Sequence, residues 1–223
     1  MIFVTATDTS VGKTYAVSSI LKSLGNRGVL PGVCKPIETG VAGDAGEDTS
    51  KLFEICSRYN RRFSSMTPED ICIYSFSLPS APFCADTERV IDIDELLAGI
   101  SSLESSCDLL VVEGAGGLMV PITEDFFMID LIESLDTPAL LVTPSKLGCI
   151  NQTLLSMEAM ERRGIDYEWC VNIYEDSDSF DMVTRPYYDR VFPSWWSLEN
   201  GLERYIDTRL EALSLSTPPV TDR

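Results

Sequence analysis

The chain has 223 residues, of which 44% are hydrophobic and 23% charged, a composition that suits one α/β domain long enough to bury a core. Its formal net charge of −18 argues against a nucleic-acid backbone or an anionic membrane surface as partner, since either needs a basic patch. Histidine is absent, which excludes Ser-His-Asp and Cys-His catalytic arrangements and every histidine-containing metal site.

The seven cysteines stand singly, with no C-x-x-C pair, as buried thiols of a reducing compartment would. No segment reaches ~18 consecutive apolar residues, and no basic stretch leads an apolar one at the N-terminus. The expectation is a soluble, cytoplasmic protein.

An apolar start, Ile2-Phe3-Val4-Thr5, predicts a strand, and residues 6–14, ATDTSVGKT, follow it directly. Gly12-Lys13-Thr14 then opens a helix over 13–25, with Ala16, Val17, Ile20, Leu21 and Leu24 at helical spacing. A helix start offers unpaired N–H groups and a positive dipole end to a phosphate. Lys13 could reach the outer phosphates and Thr14 could ligate an accompanying Mg²⁺. The common phosphate loop has a glycine five residues before Gly12, where this chain has Thr7. A bare GKT also occurs at ordinary helix starts, so the later loops must decide.

A strand over 29–34 delivers Lys35-Pro36-Ile37-Glu38-Thr39-Gly40; residues 41–48 are glycine-rich and acidic, and predict a mobile loop. Another helix is expected from Asp48. Residues 58–91, broken by prolines, predict a connection of short pieces rather than a second domain. Helical spacing returns over 93–103. Residues 108–113 read as a strand covered on both faces, after which Gly114-Ala115-Gly116-Gly117 is expected to turn the chain. Its small residues are either a flexible turn or a place where the backbone can approach a ligand closely. Strands over 138–143 and 167–174 flank a helix over 150–163. The expected domain runs over 1–211, with 212–223 as a loose tail. Alternating strands and helices imply a parallel sheet with right-handed crossovers. The loops 6–14, 35–48, 113–118, 143–151 and 172–175 would then share one edge, where ligands bind.

Several residues admit two readings. Lys35 is either a surface lysine at a strand end or a cation beside a transferring phosphoryl group. Asp48 is a helix cap, a metal ligand, or both. Glu113 ends a buried strand where no structural need for an acid is visible. Thr14, Asp48 and Glu113 together could offer Mg²⁺ the hard oxygen shell it prefers. Residues 146–151 open a helix that could hold a carboxylate, or are a plain connection with Asn151 as cap. Met157 and Met160 sit at helical spacing and read as core.

Taken together, these strings resemble dethiobiotin synthetases, ATP-dependent enzymes that close the ureido ring in biotin synthesis. The family's phosphate loop is G-T-x-T-x-V-G-K-T, one residue longer than the common form, and residues 7–14 match it from its second position onward. Residues 35–40 resemble its KP-x-x-[ST]-G, residues 112–117 its VEGAGG with Pro121 following, and residues 146–151 its KLGCIN. Ser80-Ala81-Pro82 resembles a substrate-side loop. The match is ordered and spans residues 2–173.

The resemblance implies a P-loop NTPase-like three-layer α/β fold, with a mainly parallel sheet flanked by helices on both faces. It implies conversion of 7,8-diaminopelargonic acid, CO₂ and ATP, through a carbamate and a carbamic-phosphoric anhydride, to dethiobiotin. Lys13, Lys35 and Thr9 would be catalytic. The nucleotide would meet Asp8, Thr9, Ser10, Val11, Gly12, Lys13, Thr14 and Tyr15, together with Glu113, Gly116 and Asn172. Substrate would meet Lys35, Thr39, Ser80 and Gly117, while Leu147, Gly148, Cys149, Ile150 and Asn151 of a second subunit hold its distant carboxylate. Thr14, Asp48 and Glu113 would hold Mg²⁺, in a homodimer with the site near its interface.

Two departures stand out. Ala6 replaces the family's usual glycine, which is tolerated only if φ there is negative. Residues 173–196 do not carry the family's base contacts, leaving Tyr187 or Tyr188 as candidates for touching substrate and the preferred base open. A partitioning or septum-positioning switch ATPase on the same fold is the alternative, although its loop usually has a lysine early and this one has none before Lys13. A binding module without catalysis is the third.

Overall fold

The computed structural model describes residues 1–174 and 177–213. Five strands form one parallel sheet in the order β2-β5-β1-β6-β7: β1 (Ile2–Ala6), β2 (Pro31–Cys34), β5 (Leu109–Gly117), β6 (Ala139–Pro144) and β7 (Tyr167–Asn172). Every residue of β1, β2 and β6 is buried, as expected for strands covered on both faces. A small parallel pair, β3 (Ile37–Thr39) and β4 (Tyr74–Phe76), lies apart from this sheet.

The strand order decides which helices share a layer. The step from β1 to β2 runs one way along the sheet and carries α1 (Lys13–Asn26); the steps β2 to β5, β5 to β6 and β6 to β7 run the other way. Right-handed crossovers therefore put α1 on one face and α4 (Ile93–Glu104), α5 (Met128–Ser134) and α6 (Cys149–Arg162) on the opposite one. The helices α2 (Glu47–Tyr59) and α9 (Leu198–Ala212) pack beside α1. The direction reverses at β1, so the crevice beyond its carboxyl end is the expected ligand site.

Local chemistry explains two differences from the sequence reading. Gly114–Gly117 does not turn the chain: β5 runs on to Gly117 and still pairs with β1 there, Ala6 opposite Gly117, past an irregularity in the register. A β-carbon on Gly114 would lie 2.9 Å from the Phe3 ring, and one on Gly117 would lie 3.1 Å from the Thr7 carbonyl oxygen. The glycines permit a close approach of two strands rather than a reversal. The second helix starts at Glu47 with Gly46 as its cap position, so Asp48 lies inside the first turn and is not the cap.

Residues 58–91 form short pieces, including 3-10 turns at Phe63–Ser65 and Pro68–Ile71, β4 and the single turn α3 (Pro82–Ala85). The sequence reading missed α5 and the late helices α7 (Ser177–Val183), α8 (Arg185–Val191) and α9. Helices α7 and α8 build a second core in which Phe180, Tyr188, Cys149 and Val171 meet Trp169, Phe192 and Trp195. Of the expected tail, Ala212 still belongs to α9, and residues 214–223 lie outside the described residues.

Candidate active site

The loop after β1 is shaped by two left-handed residues, Ser10 (φ 59°) and Gly12 (φ 103°). Ala6 remains in the extended strand, outside the positive-φ region, so its methyl group is accommodated. Lys13, the first residue of α1, folds back over the loop and donates to the Asp8 carbonyl at 3.0 Å. The Asp8 carboxylate accepts from the Thr9 N–H at 2.7 Å and from Gln152 of α6 at 3.4 Å.

Four elements bring one polar cluster to the floor of this loop. The Thr14 hydroxyl lies 2.8 Å from Asp48 Oδ1 and 3.0 Å from Glu113 Oε1, although its single proton can serve only one of them. Lys35 Nζ donates to Glu113 Oε1 at 2.6 Å and to the Gly114 carbonyl at 3.3 Å, and lies 3.6 Å from Asp48 Oδ2. Glu113 is fully buried, and Lys35 and Lys13 nearly so.

Burial lowers the Lys13 pKa to about 8, and the like charge of Lys35 adds to the effect. Burial pulls Lys35 down as well, but the Glu113 and Asp48 carboxylates outweigh it and the net shift is upward. Glu113 is raised by its burial, against the opposing pull of Lys35. The two lysines are therefore held differently: Lys35 is a fixed cation, whereas Lys13 titrates close to neutrality.

The cluster opens into a cavity of about 890 Å³, the size of a small-molecule site. One part of its wall is the loop and helix start Thr9, Ser10, Gly12, Lys13, Thr14 and Tyr15, joined by Asn172, Ile173, Tyr174 and Glu199. Another part is Ile37, Glu38 and Thr39 with Pro79, Ser80, Ala81 and Pro82.

Residues 1–178 match the family model of an AAA domain. The chain is 55% identical to the ATP-dependent dethiobiotin synthetase BioD of Sulfurovum sp. (strain NBC37-1), over 92% of this chain and 97% of that protein. It is 35% identical to the protein of the same name from Wolinella succinogenes, over 95% and 99% of the two chains. The chain belongs to the dethiobiotin synthetase family. Among solved structures, the MinC:MinD cell division complex of Aquifex aeolicus is similar with a TM-score of 0.55 and 15% identity, covering 100% of this chain and 98% of that one. That likeness shows a shared fold and nothing about activity.

The residues suggested by the family's motifs fall into two groups. Thr9, Ser10, Gly12, Lys13, Thr14, Tyr15, Lys35, Thr39, Asp48, Ser80, Glu113, Gly116 and Asn172 line the one cavity. Asp8, Val11 and Gly117 do not line it. Val11 is buried and presents its carbonyl to Asn172, while Gly117 lies against the backbone of residues 6 and 7. Leu147, Gly148, Cys149, Ile150 and Asn151 are outside this wall as well: Leu147 is 81% exposed, and the Cys149 thiol points into the second core beside Tyr188 and Thr184. Gly148, in a left-handed conformation, occupies the cap position of α6, so Asn151 is not its cap.

Tyr188 is corrected outright. It is fully buried and bonded to Thr153, and neither it nor Tyr187 lines the cavity. The sequence reading overlooked Tyr174 and Glu199, which no motif marks. It also overlooked Glu38, although the KPIETG string contains it.

The oxygen set at Thr14 suits a magnesium ion that arrives with a nucleotide. Glu113 Oε2 is buried and has no hydrogen-bond partner among the described residues. Among those residues no group of three acidic, cysteine or histidine side chains could hold a metal. Two carboxylates and a hydroxyl leave most of an octahedral shell to phosphate oxygens and water.

Proposed function

We propose that this chain is an ATP-dependent dethiobiotin synthetase, a ligase of biotin biosynthesis acting on 7,8-diaminopelargonic acid, CO₂ and ATP. The observation that carries the reading is that Lys13 and Lys35, from two different motifs, face one cavity whose wall includes both the phosphate loop and the 79–82 segment. One substrate amine takes up CO₂ and loses a proton, giving a carbamate. A carbamate oxygen attacks the γ-phosphorus of ATP, and ADP leaves. The second amine then attacks the carbamoyl carbon of the mixed anhydride; phosphate leaves, a proton is lost, and the ring closes.

The electrostatic difficulty is that a carbamate anion must approach a polyanionic phosphate. Lys13 and Lys35 supply the positive charge, and a preorganised charge in a dry site is effective because it needs no reorganisation. Glu113 and Asp48 keep Lys35 protonated for this purpose. Lys13 regains its proton preference when phosphates arrive, by the same Coulomb logic that Lys35 now works against it. Thr9 and Thr39 add hydrogen-bond donors. Thr14, Asp48 and Glu113 would hold the Mg²⁺, which offsets charge on the phosphates. No step needs histidine.

The 147–151 segment belongs to this reading only through a second copy of the chain. It starts α6, is largely exposed, and lies outside its own subunit's cavity. A homodimer in which it contacts the partner's substrate accounts for that position. The setting proposed is the cytoplasm, where ATP and free thiols are both expected.

Phosphate release measured with and without the diamine tests the assignment. Release should require both the diamine and bicarbonate and should yield dethiobiotin. Release indifferent to the diamine, or dependent on DNA or a protein partner, would overturn it.

A further inference from the structure

Glu38 lies in β3, between Lys35 and the Thr39 to Gly40 end of the KPIETG string, and is 8% exposed. Its carboxylate reaches across to the start of α2. Oε1 accepts the Asp48 N–H at 3.0 Å; Oε2 accepts the Thr49 N–H at 3.0 Å and also the Thr49 hydroxyl. These are the second and third residues of the helix, whose N–H groups a capping side chain ordinarily serves. The cap position itself is Gly46, which has no side chain to do so. A carboxylate borrowed from a distant strand does the work instead, with the helix dipole in its favour.

Gly46 confirms that the arrangement is built. Its φ of −73° and ψ of 163° suit any residue, so backbone freedom does not explain the glycine. A β-carbon there would lie 2.0 Å from the Glu38 carboxyl carbon and 2.2 Å from each of its oxygens. The glycine makes room for the carboxylate.

We infer that Glu38 is a positioning residue: by holding the first turn of α2 it aims Asp48 at Thr14 and Lys35. Residues 41–46, which precede the helix, have no regular structure and so hold its start weakly. Asp48 reaches Thr14 at 2.8 Å and Lys35 at 3.6 Å only while that turn stays in place. The same side chain ties the strand that follows Lys35 to the helix that carries Asp48, so the carbamate end and the phosphate end of the cavity move as one body. The inference rests on the proposed role of Asp48 as a Mg²⁺ ligand.

The test uses the full chain with a non-hydrolysable β,γ-imido ATP analogue and Mn²⁺ in place of Mg²⁺, free Mn²⁺ being followed by electron paramagnetic resonance. Glu38→Ala and Gly46→Ala should each weaken Mn²⁺ binding about tenfold, as loss of an outer-shell partner does. Glu38→Gln, which keeps one acceptor oxygen, should fall between them and the unmodified chain. Analogue binding in EDTA should not change. In turnover, all three should need more Mg²⁺ for half-maximal rate and recover at saturation, which a general loss of folding would not produce. Gly46→Ala keeps the carboxylate, so it tests the placement even if Glu38→Ala folds poorly. Unchanged Mn²⁺ binding in both alanine variants, with Asp48→Asn impaired, would overturn the positioning role and leave the metal reading intact. Unchanged binding in Asp48→Asn would overturn the metal reading, and this inference with it.

Discussion

Gly12 and Asn172 touch across the nucleotide loop: a β-carbon on Gly12 would lie 2.2 Å from the Asn172 amide nitrogen, and that nitrogen donates to the Val11 carbonyl at 2.9 Å. The last strand of the sheet thus fixes the loop that follows the first. Gly12→Ala combines this clash with a φ of 103° and should abolish nucleotide binding in calorimetry. Asn172→Ala removes one buried hydrogen bond, worth about 1 kcal/mol, and should weaken binding more modestly. In the double variant the clash is gone while the backbone strain remains, so the combined loss should be smaller than the sum of the two.

Lys13 should exact a stability cost that its function requires. Its pKa is about 8 in the folded protein against 10.5 as the reference, because burial and Lys35 disfavour the charge. The folded state therefore holds its proton less tightly than the unfolded state. The cost is complete below pH 8, is relieved as pH rises from 8 towards 10.5, and is on the order of 3 kcal/mol. Lys13→Met should raise the melting temperature of the nucleotide-free protein at pH 7 while removing nearly all turnover. In the unmodified chain, nucleotide affinity should fall as pH rises through 8 to 9.

Lys35 and Glu113 should behave as a pair. Lys35→Met leaves a fully buried carboxyl group without its cation, a change that costs about 3–5 kcal/mol where such pairs are broken. Adding Glu113→Gln should restore part of the denaturant midpoint. Neither the single nor the double variant should turn over. A Lys35→Met variant with ordinary rates would remove this residue from the mechanism.

Tyr188 should matter for stability alone. Its hydroxyl lies 3.1 Å from Thr153 Oγ1, and its ring meets Trp169, Phe180, Phe192 and Trp195. Tyr188→Phe should lower the unfolding free energy by about 1 kcal/mol and leave the KM for the diamine unchanged. A raised KM would place the residue back at the substrate.

The phosphate loop, Lys35, Asp48 and Glu113 were legible because each follows an apolar strand or opens a helix, and such loops meet at one sheet edge. Glu113 was the clearest signal: an acid at the end of a wholly apolar run has no role in packing. The glycines at 114–117 were misread because a glycine run denotes both reversal and close approach, and only the neighbouring strand tells them apart. Glu38 was illegible for a related reason. Its meaning depends on Gly46, across a loop with no periodicity. Helices α7 and α8 escaped notice because their core is aromatic and shared with α6 and β7, so their own sequence has no clean stripe. Helix α9 does carry a regular one, in Leu198, Leu202, Tyr205, Ile206 and Leu210, which went unread. Tyr174 and Glu199 reach the cavity from that same region.

The central place of β1 has a consequence for how the chain acquires its site during synthesis. Residues 2–6 leave the ribosome well before their two neighbours, residues 109–117 and 139–144. At about 5–20 residues per second, the most apolar strand waits many seconds for partners on either edge. A nascent chain stopped before residue 139 would carry the complete phosphate-loop motif and still lack one flank of the strand that presents it. The phosphate loop is translated before both strands that flank β1, and it becomes functional only after them.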